Sequence, residues 1–160
     1  MDILYQDNSE LYPIIQHSGC FFMSCLYIAQ IKTGKTLSAV EINKIWEWGK
    51  NTHRIDDNDC IVNSVSIIMR AYRYLSGTGR FYEVGTFSEG KSYYYPSVGN
   101  EYRRADFLIQ KIKQGGAQGT HFRVVDKVGN VIYDPYSKGI QSKGIVYSIL
   151  YCFVPEGEND

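Results

Sequence analysis

Hydrophobic positions in the first half of the chain recur at helical spacing. Between residues 20 and 31 apolar side chains occupy almost every face, which is typical of a buried helix. The run Ser38-Ala39-Val40-Glu41 has the form of a capping box and predicts the start of a second helix. The predicted helices cover Cys20 to Ile31, Ser38 to about Gly49, and Cys60 or Asn63 to Leu75. Thr33-Gly34-Lys35 is predicted to end the first helix, with Gly34 suited to a left-handed cap. Residues 1–17 are predicted to be irregular, with Pro13 interrupting any helix, and the polar residues 51–59 are predicted to form a loop.

In the second half the period of the pattern shortens, which indicates strands. The predicted strands cover residues 80–85, 120–127, 130–134 and 145–154, with a loop at 86–100 and a short helix at 103–114. A tight turn at Val128-Gly129-Asn130 is predicted to join two of the strands. Helices followed by antiparallel strands predict an α+β fold, with N-terminal helices packed on a C-terminal antiparallel β-sheet.

Length and charge narrow the possible functions. The 160 residues predict a single domain spanning 1–160, and 17 basic against 17 acidic residues give no net charge. Without a charge run or basic stripe, we expect neither nucleic acid nor a membrane as partner. No apolar run could cross a bilayer and the N-terminus does not resemble a signal peptide, so we expect a cytoplasmic protein. The four cysteines form no CxxC pair, which argues against a zinc ribbon and favours free thiols over two disulfides.

One cysteine lies where a helix is predicted to begin. Cys20 follows Gly19, which allows close backbone approach, and a thiol in the first helical turn is stabilised as the thiolate. Cys25 lies about 140° further around the helix and is the better candidate for a core residue. Gln16 could donate its amide to a developing oxyanion, with the Cys20 backbone amide as second donor. The alternatives are a buried inert thiol for Cys20 and a surface side chain for Gln16.

A histidine and an aspartate follow on neighbouring strands. His121 begins the predicted strand at 120–127, and Asp134 ends the strand that pairs with it, so a hairpin would place them at the same end. There the carboxylate could orient the imidazole as a general base for Cys20. The alternatives are a structural strand histidine and an Asp-Pro turn. Asp126, at the opposite end of the strand, is the weaker candidate, and His17 and His53 are assigned no role.

These residues resemble the papain-like cysteine peptidase superfamily, and in particular its C39-like branch and a bacterial family with the same pattern. The similarity rests on Gln16, Gly19-Cys20, the run Thr120-His121-Phe122-Arg123-Val124-Val125, and Asp134-Pro135-Tyr136. It implies a papain-like fold with Cys20 as nucleophile, His121 as base, Asp134 as its orienting carboxylate and Gln16 as oxyanion donor. Arg123 departs from an apolar position of that pattern, and we expect it to be solvated, or else to line the cleft.

The residues and the resemblance together predict a thiol hydrolase, a cysteine peptidase or amidase that cleaves an amide or isopeptide bond. We expect no metal and no organic cofactor. Loops 51–59 and 86–100 are candidates for the rim of the cleft. Alternatives are a phage-type peptidoglycan amidase or endopeptidase, an acyltransferase, and a papain-like binding or inhibitor protein without catalysis. The expected partner is therefore a peptide, isopeptide or muropeptide substrate, or another protein.

Overall fold

A computed structural model describes residues 2–76, 81–89, 106–114, 120–126, 129–137 and 145–155. Within these ranges the chain forms helices first and strands afterwards, so the predicted α+β class is confirmed. The helices are α1 (Pro13–Ser18), α2 (Cys20–Thr33), α3 (Ala39–Asn51) and α4 (Ser64–Ser76). The strands are β1 (Phe81–Glu89), β2 (Phe107–Gln114), β3 (Thr120–Val125), β4 (Val131–Tyr133) and β5 (Ile145–Pro155).

The central helix is α2, and its composition explains its position. Residues on every side of it are buried, including Phe22, Met23, Leu26 and Ile28. A helix that is apolar all round can only be stable inside the protein, and α2 packs against α1, α4 and β3. It ends at Gly34, whose left-handed φ of 71° suits glycine, as the sequence indicated.

Helices α3 and α4 begin at polar caps. In the capping box of α3, the Glu41 backbone amide donates to Ser38 Oγ (3.2 Å), and the Ser38 amide donates to Glu41 Oε1 (2.9 Å). At the start of α4, the Ser66 amide donates to the side chain of Asn63 (3.0 Å). The expectation for Pro13 was wrong. Pro13 opens α1, because proline lacks only an amide hydrogen that the first turn would leave unpaired.

The described strands form one antiparallel sheet in the order β1-β5-β2-β3-β4. The helix predicted at 103–114 was wrong: residues 107–114 form β2, which lies between β5 and β3, and residues 103–105 are outside the described part. Three consecutive side chains of β2, Leu108, Ile109 and Gln110, are buried. Burial on both faces removes the alternation that marks a strand in sequence, so pairing with two neighbours decided its conformation.

Arg123 also corrects an expectation. Its side chain is 1% exposed, so it is neither solvated nor part of an open cleft. Arg123 lies opposite Gln110 in the β2–β3 register, and its Nε donates to Gln110 Oε1 (2.9 Å). A buried guanidinium must be hydrogen-bonded to be tolerated, and this cross-strand pair supplies such a bond. Arg123 therefore helps to hold β3 against β2.

Other boundaries differ in detail from those predicted. The strand predicted at 80–85 extends to Glu89, so residues 86–89 of the predicted loop are part of β1. Residues 90–100 lie outside the described ranges, as does part of the turn predicted at 128–130. No helix in the described part of the chain is long and apolar enough to cross a lipid bilayer.

Candidate active site

The junction between α1 and α2 places Cys20 in the first turn of α2. Gly19 separates the two helices, and its amide donates to the carbonyl oxygen of Ile15 (2.8 Å). A Cβ at position 19 would lie 2.4 Å from that oxygen and 2.8 Å from Ile15 Cγ2, so only glycine fits without a shift. The tight junction leaves the partly exposed Cys20 at the helix N-terminus, where the helix dipole favours a negative charge.

An aromatic pair fixes the start of α2 against the start of β3. The rings of Phe21 and Phe122 stack with centroids 4.1 Å apart and planes within 5° of parallel. Their sequence neighbours are Cys20 and His121, so the stack brings the thiol and the imidazole together. The thiol lies close enough to the imidazole for its hydrogen-bonding capacity and charge to raise the pKa of His121.

The third residue of the predicted triad lies on the other side of the imidazole. His121 Nε2 lies 2.7 Å from Asp134 Oδ1, and the two side chains are only 12% and 13% exposed. Because Nε2 is bonded to Asp134, Nδ1 is the ring nitrogen left to face the Cys20 thiol. Cys20, His121 and Asp134 therefore meet in the order that nucleophile, base and orienting carboxylate require.

The surroundings of His121 favour its charged form. Desolvation lowers the pKa of the buried ring, but the hydrogen bonds with Asp134 and Cys20 and the attraction of their charges raise it, and the result is a pKa of about 9. At neutral pH the ring is therefore an imidazolium. A cationic neighbour stabilises a thiolate, the reactive form of cysteine.

Asp134 combines the two roles that the sequence left as alternatives. Its Oδ1 also accepts the backbone amide of Tyr136 (3.0 Å), an Asx-type contact that closes the turn at Pro135. The turn residue and the imidazole partner are thus the same carboxylate. The weaker candidate, Asp126, instead accepts from the Asn130 amide (2.8 Å) and side chain (3.0 Å), so it holds the β3–β4 turn.

The N-terminal segment supports Asp134, a role that the sequence analysis missed. The backbone amide of Gln6 donates to the Pro135 carbonyl (2.6 Å), and the Tyr133 hydroxyl donates to the Leu4 carbonyl (2.8 Å). The Tyr5 ring stacks on the Tyr133 ring at 5.6 Å. These contacts link positions almost 130 residues apart, so no local pattern could have predicted them.

Gln16 is not directed at the thiol. The Gln16 side-chain Nε2 donates to the Leu11 backbone carbonyl (2.7 Å). The Gln16 backbone carbonyl accepts a hydrogen bond from Nε2 of the buried Gln6 (3.0 Å). Among the described residues, the lining of the cleft beside Cys20 does not include Gln16. The structure thus brings three of the four predicted site residues together and leaves the Gln16 amide elsewhere. Cys25 is fully buried in the core, as expected.

A cleft of about 520 Å³ opens beside Cys20. Its lining includes the aromatic side chains of Phe21, Phe22, Trp46 and Phe122 and residues of the loop after α3. That loop contributes Asn58 and Asp59, so part of the predicted rim at 51–59 does line the cleft. The exposed Cys60 and His17, to which the sequence analysis gave no role, line it as well.

Comparison with known protein families assigns the chain to one of them. A family model described as "Protein of unknown function, DUF261" matches residues 1–150. The chain belongs to the DUF261 family. The matched range includes Cys20, His121 and Asp134. Neither the search of curated proteins nor the search of solved structures found a match. In the described ranges, no three His, Cys, Asp or Glu side chains are arranged to hold a metal ion.

Proposed function

We propose that this protein is a papain-like thiol hydrolase, a cysteine peptidase or amidase acting through Cys20, His121 and Asp134. The observation that carries the proposal is the position of the His121 imidazole, which hydrogen-bonds the largely buried carboxylate of Asp134 and has its pKa raised by the neighbouring thiol at the start of α2. A histidine with a purely structural role would need neither a thiol on one side of its ring nor a carboxylate on the other. The sequence of elements, with the cysteine on the first long helix and the histidine and aspartate on a later hairpin, also supports a papain-like fold.

The proposed reaction begins with the thiolate of Cys20 and the imidazolium of His121. The sulfur attacks the carbonyl carbon of an amide or isopeptide, and the carbonyl oxygen takes up the negative charge. His121 gives its proton to the leaving nitrogen as the C–N bond breaks, which leaves a thioester and a free amine. The neutral imidazole then removes a proton from water, which attacks the thioester, and the sulfur departs as thiolate.

Asp134 holds the ring in the orientation that this exchange needs and stabilises the imidazolium. The developing oxyanion would lie near the start of α2, where the positive end of the helix dipole favours it. Because the Gln16 amide is bonded to the Leu11 carbonyl, an oxyanion role for Gln16 requires that this bond open first. The volume of the cleft lies within the range of about 300–1,000 Å³ typical of small-ligand pockets, so side chains next to the scissile bond could enter it.

The test is alkylation by iodoacetamide, followed by peptide mass spectrometry across pH 5 to 9. Cys60 is an internal control, because it lines the same cleft but has no histidine partner among the described contacts. We expect Cys20 to react at least about tenfold faster than Cys60 near pH 6, because the imidazole of His121 and the N-terminus of α2 would both stabilise negative charge on the attacking sulfur. His121→Ala should remove that advantage, whereas Cys60→Ala should leave it intact.

Hydrolysis itself is then measured with peptide, isopeptide and muropeptide substrates, using Cys20→Ala as the inactive control. Accumulation of a thioester adduct on Cys20, seen by intact mass spectrometry, would identify the acyl-enzyme. If Cys20 reacts no faster than Cys60 and His121→Ala changes nothing, the hydrolase proposal is wrong.

A further inference from the structure

A second cavity of about 440 Å³ lies between the end of α3 and one face of α4. It shares no described lining residue with the Cys20 cleft. Three arginines, Arg54, Arg70 and Arg73, line it together with Trp48 and the hydroxyl-bearing Ser66. The sequence showed no basic run, because these arginines come from two different segments and meet only in the fold.

The backbone holds the cationic side chains on a common surface. Ser66, Arg70 and Arg73 are spaced i, i+4 and i+7 on α4, so they lie on one helix face. Arg54 is in the loop after α3, where its amide donates to the Gly49 carbonyl (2.9 Å) and its carbonyl accepts the Val62 amide (2.9 Å). The arginines therefore project from fixed backbone rather than from a free chain end.

Trp48 orients two of the guanidinium groups. The Arg54 and Arg70 guanidinium carbons lie 5.0 and 4.9 Å from the Trp48 ring centroid, within the range of cation–π contacts. A guanidinium stacked by its face keeps its N–H groups available at the edge. Stacking thus restricts the rotamers of both side chains in advance and reduces the entropy that a bound anion would otherwise have to offset.

The positive charge of this cavity is not neutralised within the described part of the chain. No carboxylate of the described residues forms an ion pair with Arg54, Arg70 or Arg73. The acidic residue beside the cavity is Glu41, which hydrogen-bonds Tyr74 of the lining and also closes the α3 capping box. Its carboxylate is already occupied by these donors.

We propose that this cavity binds a phosphate-bearing ligand. A single carboxylate is satisfied by one bidentate arginine, whereas three guanidiniums and a hydroxyl match a group with at least two charges and several acceptor oxygens. Phosphate and pyrophosphate groups have that chemistry, either in a free small molecule or in a lipid headgroup. The cavity volume also leaves room for an organic body attached to the phosphate.

The test measures pyrophosphate and inorganic phosphate binding by isothermal titration calorimetry at constant ionic strength. The double variant Arg70→Ala/Arg73→Ala is compared with Lys44→Ala/Lys113→Ala, which removes the same charge from two other exposed positions. We expect saturable binding by the unaltered protein, weakened at least about tenfold in the arginine variant and less than about twofold in the lysine variant. Arg70→Lys/Arg73→Lys, which keeps the charge without the planar fork, should give an intermediate loss.

Cosedimentation with vesicles of phosphatidic acid, against vesicles of phosphatidylcholine, distinguishes the two sources of phosphate. Vesicle binding lost in the arginine variant, without pyrophosphate binding, assigns the site to a lipid headgroup. Pyrophosphate binding without vesicle binding assigns it to a free phosphate compound. Absence of both, or equal weakening in the arginine and lysine variants, overturns the proposal, and circular dichroism confirms that each variant is folded.

Discussion

Replacing Asp134 by asparagine keeps the size of the side chain and removes its negative charge. The amide oxygen can still accept from His121 Nε2 and from the Tyr136 amide, so the turn should persist. What changes is the electrostatic support of the imidazolium. A hydrogen bond to a charged group is worth about 1.5–3 kcal/mol, so we expect the variant to lower the pKa of His121 by about one to two pH units.

The same pKa has a consequence for stability. The rise of the His121 pKa from 6.5 to about 9 corresponds to about 3 kcal/mol in favour of the folded state with a protonated ring. Because the folded-state pKa is raised, this contribution is fully present below pH 6.5 and is lost as pH rises through 9. The difference in unfolding free energy between the natural protein and His121→Gln should therefore shrink by about 3 kcal/mol between pH 6 and pH 9.5.

Two measurements check these values. Nuclear magnetic resonance follows the His121 ring proton against pH in the natural protein and in Asp134→Asn, with His121→Gln identifying its resonance. Urea unfolding at pH 6 and pH 9.5 gives the stability difference, and subtraction of the His121→Gln data removes the titration of all other groups. A ring that titrates near 6.5 in the natural protein, or a pKa that Asp134→Asn leaves unchanged, would refute the imidazolium assignment.

Two further substitutions, each with a control variant, test the scaffold of the protein. Gly19→Ala would place a Cβ 2.4 Å from the Ile15 carbonyl oxygen, so the junction must shift, and we expect a loss of about 1–3 kcal/mol in urea unfolding and slower alkylation of the candidate nucleophile. Gly34→Ala, strained at φ 71° but with open space around it, should cost about 1 kcal/mol without slowing alkylation; equal slowing would contradict the argument. Arg123→Ala leaves a cavity in place of a large buried side chain and removes a donor to Gln110 Oε1, so it should cost about 3–5 kcal/mol, whereas exposed Lys113→Ala should cost less than about 0.5 kcal/mol. A loss below about 1 kcal/mol for Arg123→Ala would show that its burial contributes little.

The sequence predicted most accurately where a local interaction decides the structure. The capping box at Ser38 and the left-handed cap at Gly34 depend on residues within one or two turns, and both are present as predicted. The three residues of the candidate triad could also be predicted from the sequence, because a helix start, a strand start and an Asp-Pro turn each have local signals. The Asx-type contact at Asp134 shows that a turn signal and a site signal can be the same residue.

Prediction failed where distant segments override the local pattern. Residues 107–114 have apolar positions that suit a helix in isolation, yet pairing with two neighbouring strands makes them the central strand β2. Arg123 was expected to be solvated, or else to line the cleft, but Gln110 on β2 supplies a partner for it inside the sheet. Gln16 was assigned from its nearness in sequence to Cys20, and its amide is instead bonded to Leu11.

The sequence by itself determined the α+β class, the position of Cys20 at the mouth of α2 and the hairpin end shared by His121 and Asp134, because short-range spacing sets each of them. Only the tertiary structure decided the charge of the imidazole, the support of Asp134 by the N-terminal segment and the convergence of the three arginines. Each of these depends on burial and on contacts between segments far apart in the chain. Such contacts form through collapse of the whole core, and no local pattern of residues encodes them.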